Sequence, residues 1–131
     1  MLTFLDIVPP TKLQNHALVL LLNKFNWTEI CVVSDDSSYA RPLVEDLYQH
    51  SELFKIVSIV KYSRLDDSFI TSLSSVMTKV RVFVLFCTHS NGNTVLNHAT
   101  KLGLTKREFV WIVGETLVKS NGVVPGNYMI L

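Results

Sequence analysis

Two adjacent carboxylates, Asp35 and Asp36, follow an apolar run at 30–33, with one serine between. Neighbouring carboxylates can hold a divalent cation, so one hypothesis is a small cytosolic metal-dependent α/β enzyme or a phosphate-transfer receiver. A receiver also needs an aspartate at the end of its third strand, and this chain has Phe86-Cys87-Thr88 there. We therefore favour a helix-capping acidic turn at Asp35 and Asp36.

Cys87 and His89 form a Cys-x-His pair, which could supply two zinc ligands or a nucleophile with its base. A tetrahedral zinc site needs four ligands, and neither a CxxC nor an HxxxH pair accompanies these two residues. The nucleotide fingerprints GxGxxG and GxxxxGK[ST] do not occur either. We expect no catalytic residue, no metal site and no cofactor.

The other cysteine, Cys31, falls inside a predicted strand, whereas Cys87 falls at the end of another. In adjacent parallel strands their heights would differ by about three residues at roughly 3.3 Å each, beyond the usual Cα separation in a disulfide. We predict two free thiols. A single glycosylation sequon, Asn26-Trp27-Thr28, lies at a helix-to-strand junction and makes Asn26 a candidate acceptor in a secreted protein.

The 131 residues are 48% apolar, which suits one domain with a substantial core. Twelve basic residues are interspersed with eleven acidic ones, so no cationic stripe is available for nucleic acid. No apolar run approaches the roughly 18 residues that span a bilayer. Residues 1–8 lack the features of a signal peptide, so we expect either a cytosolic protein or a leader that lies upstream.

Helical periodicity alternates along the chain with short β-branched runs, the arrangement of strands joined by helices. Such connections require parallel pairing through right-handed crossovers. We predict an α/β fold, a three-layer, open, doubly wound parallel sheet, with Gly103 ending the fourth helix. The predicted helices are 11–24, 38–49, 66–78 and one that ends at 102; the predicted strands are 27–33, 54–60, 82–87, 108–113 and 128–131.

In open sheets of this kind, ligands bind outside the carboxyl ends of the strands. The loops at that edge are 34–39, 62–65, 88–93 and 114–116. Ser90 would also serve as an ordinary helix N-cap. The candidate ligand-binding residues of this rim are Asp35, Asp36, Thr88, His89, Ser90 and Glu115.

Three segments, 8–10 (Val-Pro-Pro), 24–27 (Lys-Phe-Asn-Trp) and 32–36 (Val-Val-Ser-Asp-Asp), resemble the second lobe of type I periplasmic-binding-protein-like receptor domains. Three further segments, 85–88, 101–105 and 109–115 (Phe-Val-Trp-Ile-Val-Gly-Glu), are similar to the amino-terminal domains of ionotropic glutamate receptors, the NMDA type above all. The chain begins with a helix and ends on an apolar strand, so we expect residues 1–131 to be a single lobe of a larger domain.

The resemblance implies an extracellular lobe of a plasma-membrane receptor, which regulates or senses a ligand by hinge closure and takes part in subunit assembly. Its implied partners are the first lobe of the same domain, other receptor subunits and a small molecule in the cleft between lobes. Guanylate cyclase receptors and class C G-protein-coupled receptors share the scaffold and remain alternatives. A further alternative is an interaction module that docks through the apolar helix at 11–24.

Overall fold

A computed structural model describes residues 10–50, 52–106, 108–113 and 128–130. Side chains are described at 14–50, 52–106 and 108–113. Helices and strands alternate as the periodicity predicts, and the bounds differ from the expected ones by a few residues. The helices are α1 (Pro10–Lys24), α2 (Ala40–Tyr48), α3 (Ser68–Val76) and α4 (His89–Lys101); the strands are β1 (Glu29–Ser34), β2 (Lys55–Lys61), β3 (Val82–Phe86), β4 (Val110–Val113) and β5 (Tyr128–Ile130).

The five described strands form one sheet in the order β2-β1-β3-β4-β5, and every pairing is parallel. β1 and β3 are neighbours although β2 lies between them in sequence, so the chain reverses its winding direction here. Val33 pairs with Leu85 and Ser34 with Phe86, which brings the carboxyl ends of β1 and β3 to the same height. The prediction of an open, doubly wound parallel sheet is confirmed.

Helices cover both faces of the sheet. Consecutive strand residues point to opposite faces, so each strand contributes side chains to two cores. Cys31 and Val33 of β1 face the core under α3 and α4, which also contains Phe69 and Leu96. Ile30 and Val32 face the other way, into a second core. That core contains residues of α1 and α2 as well as of the sheet: Leu18, Leu22, Leu43, Leu47, Val84, Phe86 and Ile112.

Trp111 is the largest fully buried side chain of the described residues. Its ring stacks on Phe83 of the neighbouring strand, with 4.8 Å between the centroids. Its indole N–H donates a hydrogen bond to the backbone carbonyl of Leu104 at 2.9 Å, so the buried polar atom is satisfied. Trp111 is therefore part of the core, whereas Trp27 is half-buried beside Phe25.

Two chain reversals use left-handed backbone conformations. Gly103 follows α4 with φ +81°, as predicted for a helix-ending glycine. Asn26 follows α1 with φ 56°, and it is the one described residue other than glycine with positive φ. The expectation that Ser90 caps α4 is wrong: the helix begins at His89, Thr88 occupies the N-cap position, and Ser90 lies within the first turn.

Candidate functional site

The candidate site lies where β1, β2 and β3 end, at the boundary between β1 and β3. After β1 the chain passes to α2 on one face of the sheet, and after β3 it passes to α4 on the other. The two loops therefore diverge and leave a recess between them, the usual position of ligand sites in open α/β sheets. Asp35 directly follows β1 and Thr88 lies just beyond β3.

Asp35 is the centre of the polar contacts at this recess, and only 5% of its surface is exposed. One carboxylate oxygen, Oδ2, accepts hydrogen bonds from the Thr88 backbone N–H at 2.9 Å, the Thr88 hydroxyl at 3.2 Å and the Asn91 amide at 2.9 Å. The other, Oδ1, accepts from the backbone N–H of Ser37 at 3.1 Å and from its hydroxyl. A carboxylate has about four lone-pair sites, so these five donors use its capacity.

The same contacts keep Asp35 ionised. Burial opposes the charged form, but hydrogen bonds from the Ser37 hydroxyl, the Asn91 amide and the backbone N–H groups of Thr88 and Ser37 outweigh it. The pKa of Asp35 is consequently lower than the ordinary 3.8. Asp35 joins the loop after β1 to the start of α4 as a charged acceptor.

Ser37 extends this network to α2. Its hydroxyl oxygen accepts a hydrogen bond from the backbone N–H of Ala40 at 3.0 Å, which satisfies one free donor of the first turn. The acidic turn expected at Asp35 and Asp36 therefore precedes α2 but does not cap it directly, because the Ser37 hydroxyl, which is bound to Asp35, accepts the hydrogen bond from the first turn.

An open groove of about 540 Å³ lies beside Asp35. The loop after β1 lines one side of the groove and the loop after β2 lines the other. The charged side chains of Asp36 and Arg64, which are exposed, belong to this lining. Leu65 at its border is 97% exposed. Its lining residues are Asp35, Asp36, Ser37, Tyr62, Ser63, Arg64, Leu65 and Asn91.

The structure brings together only part of the predicted rim. Asp35 and Asp36 line the groove. Thr88 does not line it, but its backbone N–H donates a hydrogen bond to Asp35. His89 and Ser90 are exposed in the first turn of α4, where the His89 ring nitrogen Nε2 lies 3.0 Å from the Asn93 amide. Glu115 lies outside the described residues. Contact between any of these residues and a ligand stays a prediction.

Sequence reasoning missed Asn91 and Arg64 as members of this site. Asn91 lies inside loop 88–93 and Arg64 inside loop 62–65, so both were within the stretches expected at the carboxyl edge. Attention to the amide and guanidinium groups in those loops, in addition to the acidic ones, would have found them.

The Cys87 and His89 pair has no arrangement for metal binding or nucleophilic catalysis in the described residues. The Cys87 thiol lies 3.9 Å from the backbone carbonyl of Val33, and burial, aided by the negative charge of Asp35, raises its pKa. A thiol with a raised pKa is a poor nucleophile. Among residues 10–50, 52–106 and 108–113, no three His, Cys, Asp or Glu side chains are grouped so that they could hold a metal ion.

Both described cysteines are free, in agreement with the prediction. Cys31 lies opposite Phe83 in the neighbouring strand, so Cys87, which follows the end of β3, is too far away for a disulfide. Burial raises the pKa of Cys31 from 9.0 to about 12.

A five-stranded parallel sheet with this order and a polar groove at the carboxyl ends of β1 and β2 is the arrangement of an α/β domain whose ligands bind at that edge. A family model described as "Receptor family ligand binding region" matches residues 2–128, and the chain belongs to this family. The fold is that of one lobe of a type I periplasmic-binding-protein-like domain.

The chain is also similar to named receptors at low identity. It is 27% identical over 129 residues to a metabotropic glutamate receptor of Drosophila melanogaster, which covers 94% of this chain and 13% of the receptor. It is 27% identical over 118 residues to glutamate receptor 2.2 of Arabidopsis thaliana, which covers 86% and 12%. It is also 24% identical over 132 residues to G-protein coupled receptor family C group 6 member A of Carassius auratus, and this match covers 92% of this chain and 15% of that receptor.

The chain thus spans about an eighth of the length of the curated relatives that it matches. These relatives are receptors, not enzymes, by name. No helix of the described residues has both the length and the apolar character needed to cross a membrane.

Proposed function

We propose that residues 1–131 form one lobe of the extracellular ligand-binding region of a membrane receptor, without enzymatic activity. The lobe closes against a second lobe around a small molecule, and the groove between the loops after β1 and β2 is its half of the cleft. The observation that carries this proposal is the difference between the charged residues of that groove. Asp35 is fully hydrogen-bonded within the protein, whereas Asp36 and Arg64 are exposed beside it.

The charges of the groove suit a ligand that carries both signs. Within the described part of the chain, neither Asp36 nor Arg64 forms an ion pair with another residue. Asp36 can accept hydrogen bonds from an ammonium group, and Arg64 can donate two parallel hydrogen bonds to a carboxylate. Because two of the matched relatives are named glutamate receptors, an α-amino acid such as glutamate is the first ligand to test.

The incomplete enclosure of this groove supports hinge closure as the mode of action. A lobe that offers one open wall gains little affinity by itself, and a second wall adds contacts only in the closed state. A ligand that touches both lobes therefore shifts the open–closed equilibrium toward closure. This is a regulatory device whether the receptor is an ion channel or a G-protein-coupled receptor.

The test is an NMR titration of the chain with L-glutamate, which detects weak binding. We expect millimolar binding, with shift changes at Asp36, Ser63 and Arg64, and at least a fivefold loss of affinity in Asp36→Asn and Arg64→Gln. Glu29→Gln and Arg81→Gln are matched controls, because both residues are exposed near the amino ends of their strands. Shift changes confined to the amino edge of the sheet would contradict the proposal.

The NMDA type is a finer proposal, and the segments at 85–88 and 109–115 support it by their resemblance. In NMDA-type receptors this domain regulates assembly and channel opening, and the agonist binds a different domain. An NMDA-type lobe is therefore expected to ignore glutamate and to associate with other subunits instead. Co-expression with NMDA receptor subunits followed by affinity capture tests this second proposal, with a class C receptor ectodomain as the control.

A further inference from the structure

Asn26 is the exposed residue that ends α1, and its backbone conformation has a clear structural cause. Its N–H donates to the carbonyl of Asn23 at 3.2 Å, and the N–H of Trp27 donates to the carbonyl of Leu22 at 2.9 Å. These two bonds and the left-handed φ of 56° form a Schellman motif, in which glycine or asparagine is favoured at this position. The motif uses the backbone of Asn26 alone.

The side chains of Asn26 and Thr28 take no part in the described hydrogen bonds. Thr28 is exposed, and its contribution to the fold is the backbone carbonyl, which accepts from the Lys55 N–H at 2.7 Å. Glycine would satisfy the turn at position 26, and many residues would satisfy position 28. The helix ending therefore explains the backbone at these positions, but not an amide and a hydroxyl spaced as in a sequon.

We propose that Asn26 is an N-glycosylation acceptor. In the reaction the Asn26 side-chain nitrogen attacks the anomeric carbon of an oligosaccharide carried on a lipid diphosphate. A nitrogen–carbon bond forms, the carbon–oxygen bond to the diphosphate breaks, the lipid diphosphate leaves and the amide loses one proton. Modification of the natural protein rests on the proposed function, which brings the chain into the secretory pathway.

The surroundings of Asn26 can accommodate a glycan. The residue precedes β1 and so lies at the amino edge of the sheet, opposite the groove that contains Asp36. A glycan there leaves lobe closure unobstructed. Beside it, Phe25 is 42% exposed and stacks on Trp27 with 4.8 Å between the ring centroids, an apolar surface that the C–H face of the first sugar can cover.

The experiment is translation of the chain, behind a cleavable secretion leader, in microsomes that glycosylate a reference glycoprotein. We expect one glycosidase-sensitive mass increment in the unaltered chain and in Thr28→Ser. Thr28→Ala and Asn26→Gly should lack it. The glycine variant keeps the left-handed backbone, and circular dichroism of that variant checks that the fold is retained.

An unaltered chain that stays unmodified in active microsomes would overturn the proposal, and so would an increment that persists in Thr28→Ala. The supplied leader separates this outcome from the proposed function, because entry into the microsome no longer depends on the natural protein. Glutamate titration of the unglycosylated chain tests the proposed function independently.

Discussion

The carboxylate of Asp35 accepts a hydrogen bond from the backbone N–H of Thr88 at 2.9 Å, across the boundary between β1 and β3. This contact ties together two loops that leave the sheet toward opposite faces. The groove depends on it, because Asn91 is held by the same carboxylate oxygen. Asp35 thus positions the candidate site, and the neighbouring exposed groups remain free for a ligand.

Replacement of Asp35 is expected to destabilise the fold strongly. In Asp35→Asn, one carboxylate oxygen becomes an N–H₂ group that faces donors from Ser37, Thr88 or Asn91. Buried donors without an acceptor cost about 1–3 kcal/mol each, so we expect a loss of about 2–4 kcal/mol. Urea unfolding measures it. Asp36→Asn is the control, because Asp36 is exposed, and its change should stay within about 0.5 kcal/mol.

The stability contributed by Asp35 should depend on acid pH. Its folded-state pKa is lower than the ordinary 3.8, so in acid the unfolded chain binds this proton before the folded one does. The contribution is fully present above the ordinary pKa and is lost as the pH falls through the lowered one. Unfolding midpoints between pH 6 and pH 2 should therefore converge for the unaltered chain and Asp35→Asn. A constant difference at all pH values would contradict this assignment.

Both thiols should react slowly while the protein is folded. Burial raises the pKa of Cys31 to about 12, and burial with the nearby Asp35 charge raises that of Cys87, so little thiolate exists at pH 8. We expect iodoacetamide to label neither thiol appreciably within minutes, and to label both in urea. Cys87→Ala isolates Cys31, which is fully buried and should be the slower of the two. Rapid labelling of Cys31 without urea would count against this packing.

The same two thiols should make the stability of the fold decline at alkaline pH. Their folded pKa values are raised, so the stability they confer is fully present below the ordinary pKa of 9.0 and is lost as the pH rises above it. Replacement of both cysteines by alanine should flatten the decline between pH 8.5 and pH 10.5. Thermal unfolding over this range provides the measurement, and equal slopes in both proteins would refute it.

Trp111 should contribute more to the stability of the fold than Trp27 does. Trp111→Phe removes its hydrogen bond to the buried Leu104 carbonyl and part of the stack on Phe83, at an expected cost of about 1–3 kcal/mol. Trp27→Phe keeps an aromatic ring beside Phe25 and should cost less than about 1 kcal/mol. Chemical unfolding compares the two variants. In Trp27→Phe the remaining fluorescence should be blue-shifted, since Trp111 is fully buried.

The sequence by itself determined the local elements and the class of fold. β-Branched runs such as 30–33 and 82–86 form buried parallel strands, because both faces of the sheet are covered. Gly103 and the acidic turn at Asp35 were also readable, since each acts within a few residues of its own position. The likeness to receptor domains rested on short segments and was confirmed by the family match at 2–128.

Only the tertiary structure decided which loops meet. The order β2-β1-β3 places Thr88 and Asn91 against Asp35, although more than 50 residues separate them in sequence. Local propensity cannot specify such a pairing, because the strand order is chosen by how the helices pack on the two faces of the sheet. The same packing makes Asp35 a buried acceptor of hydrogen bonds within the protein, and leaves Asp36 and Arg64 as exposed charged groups at the groove.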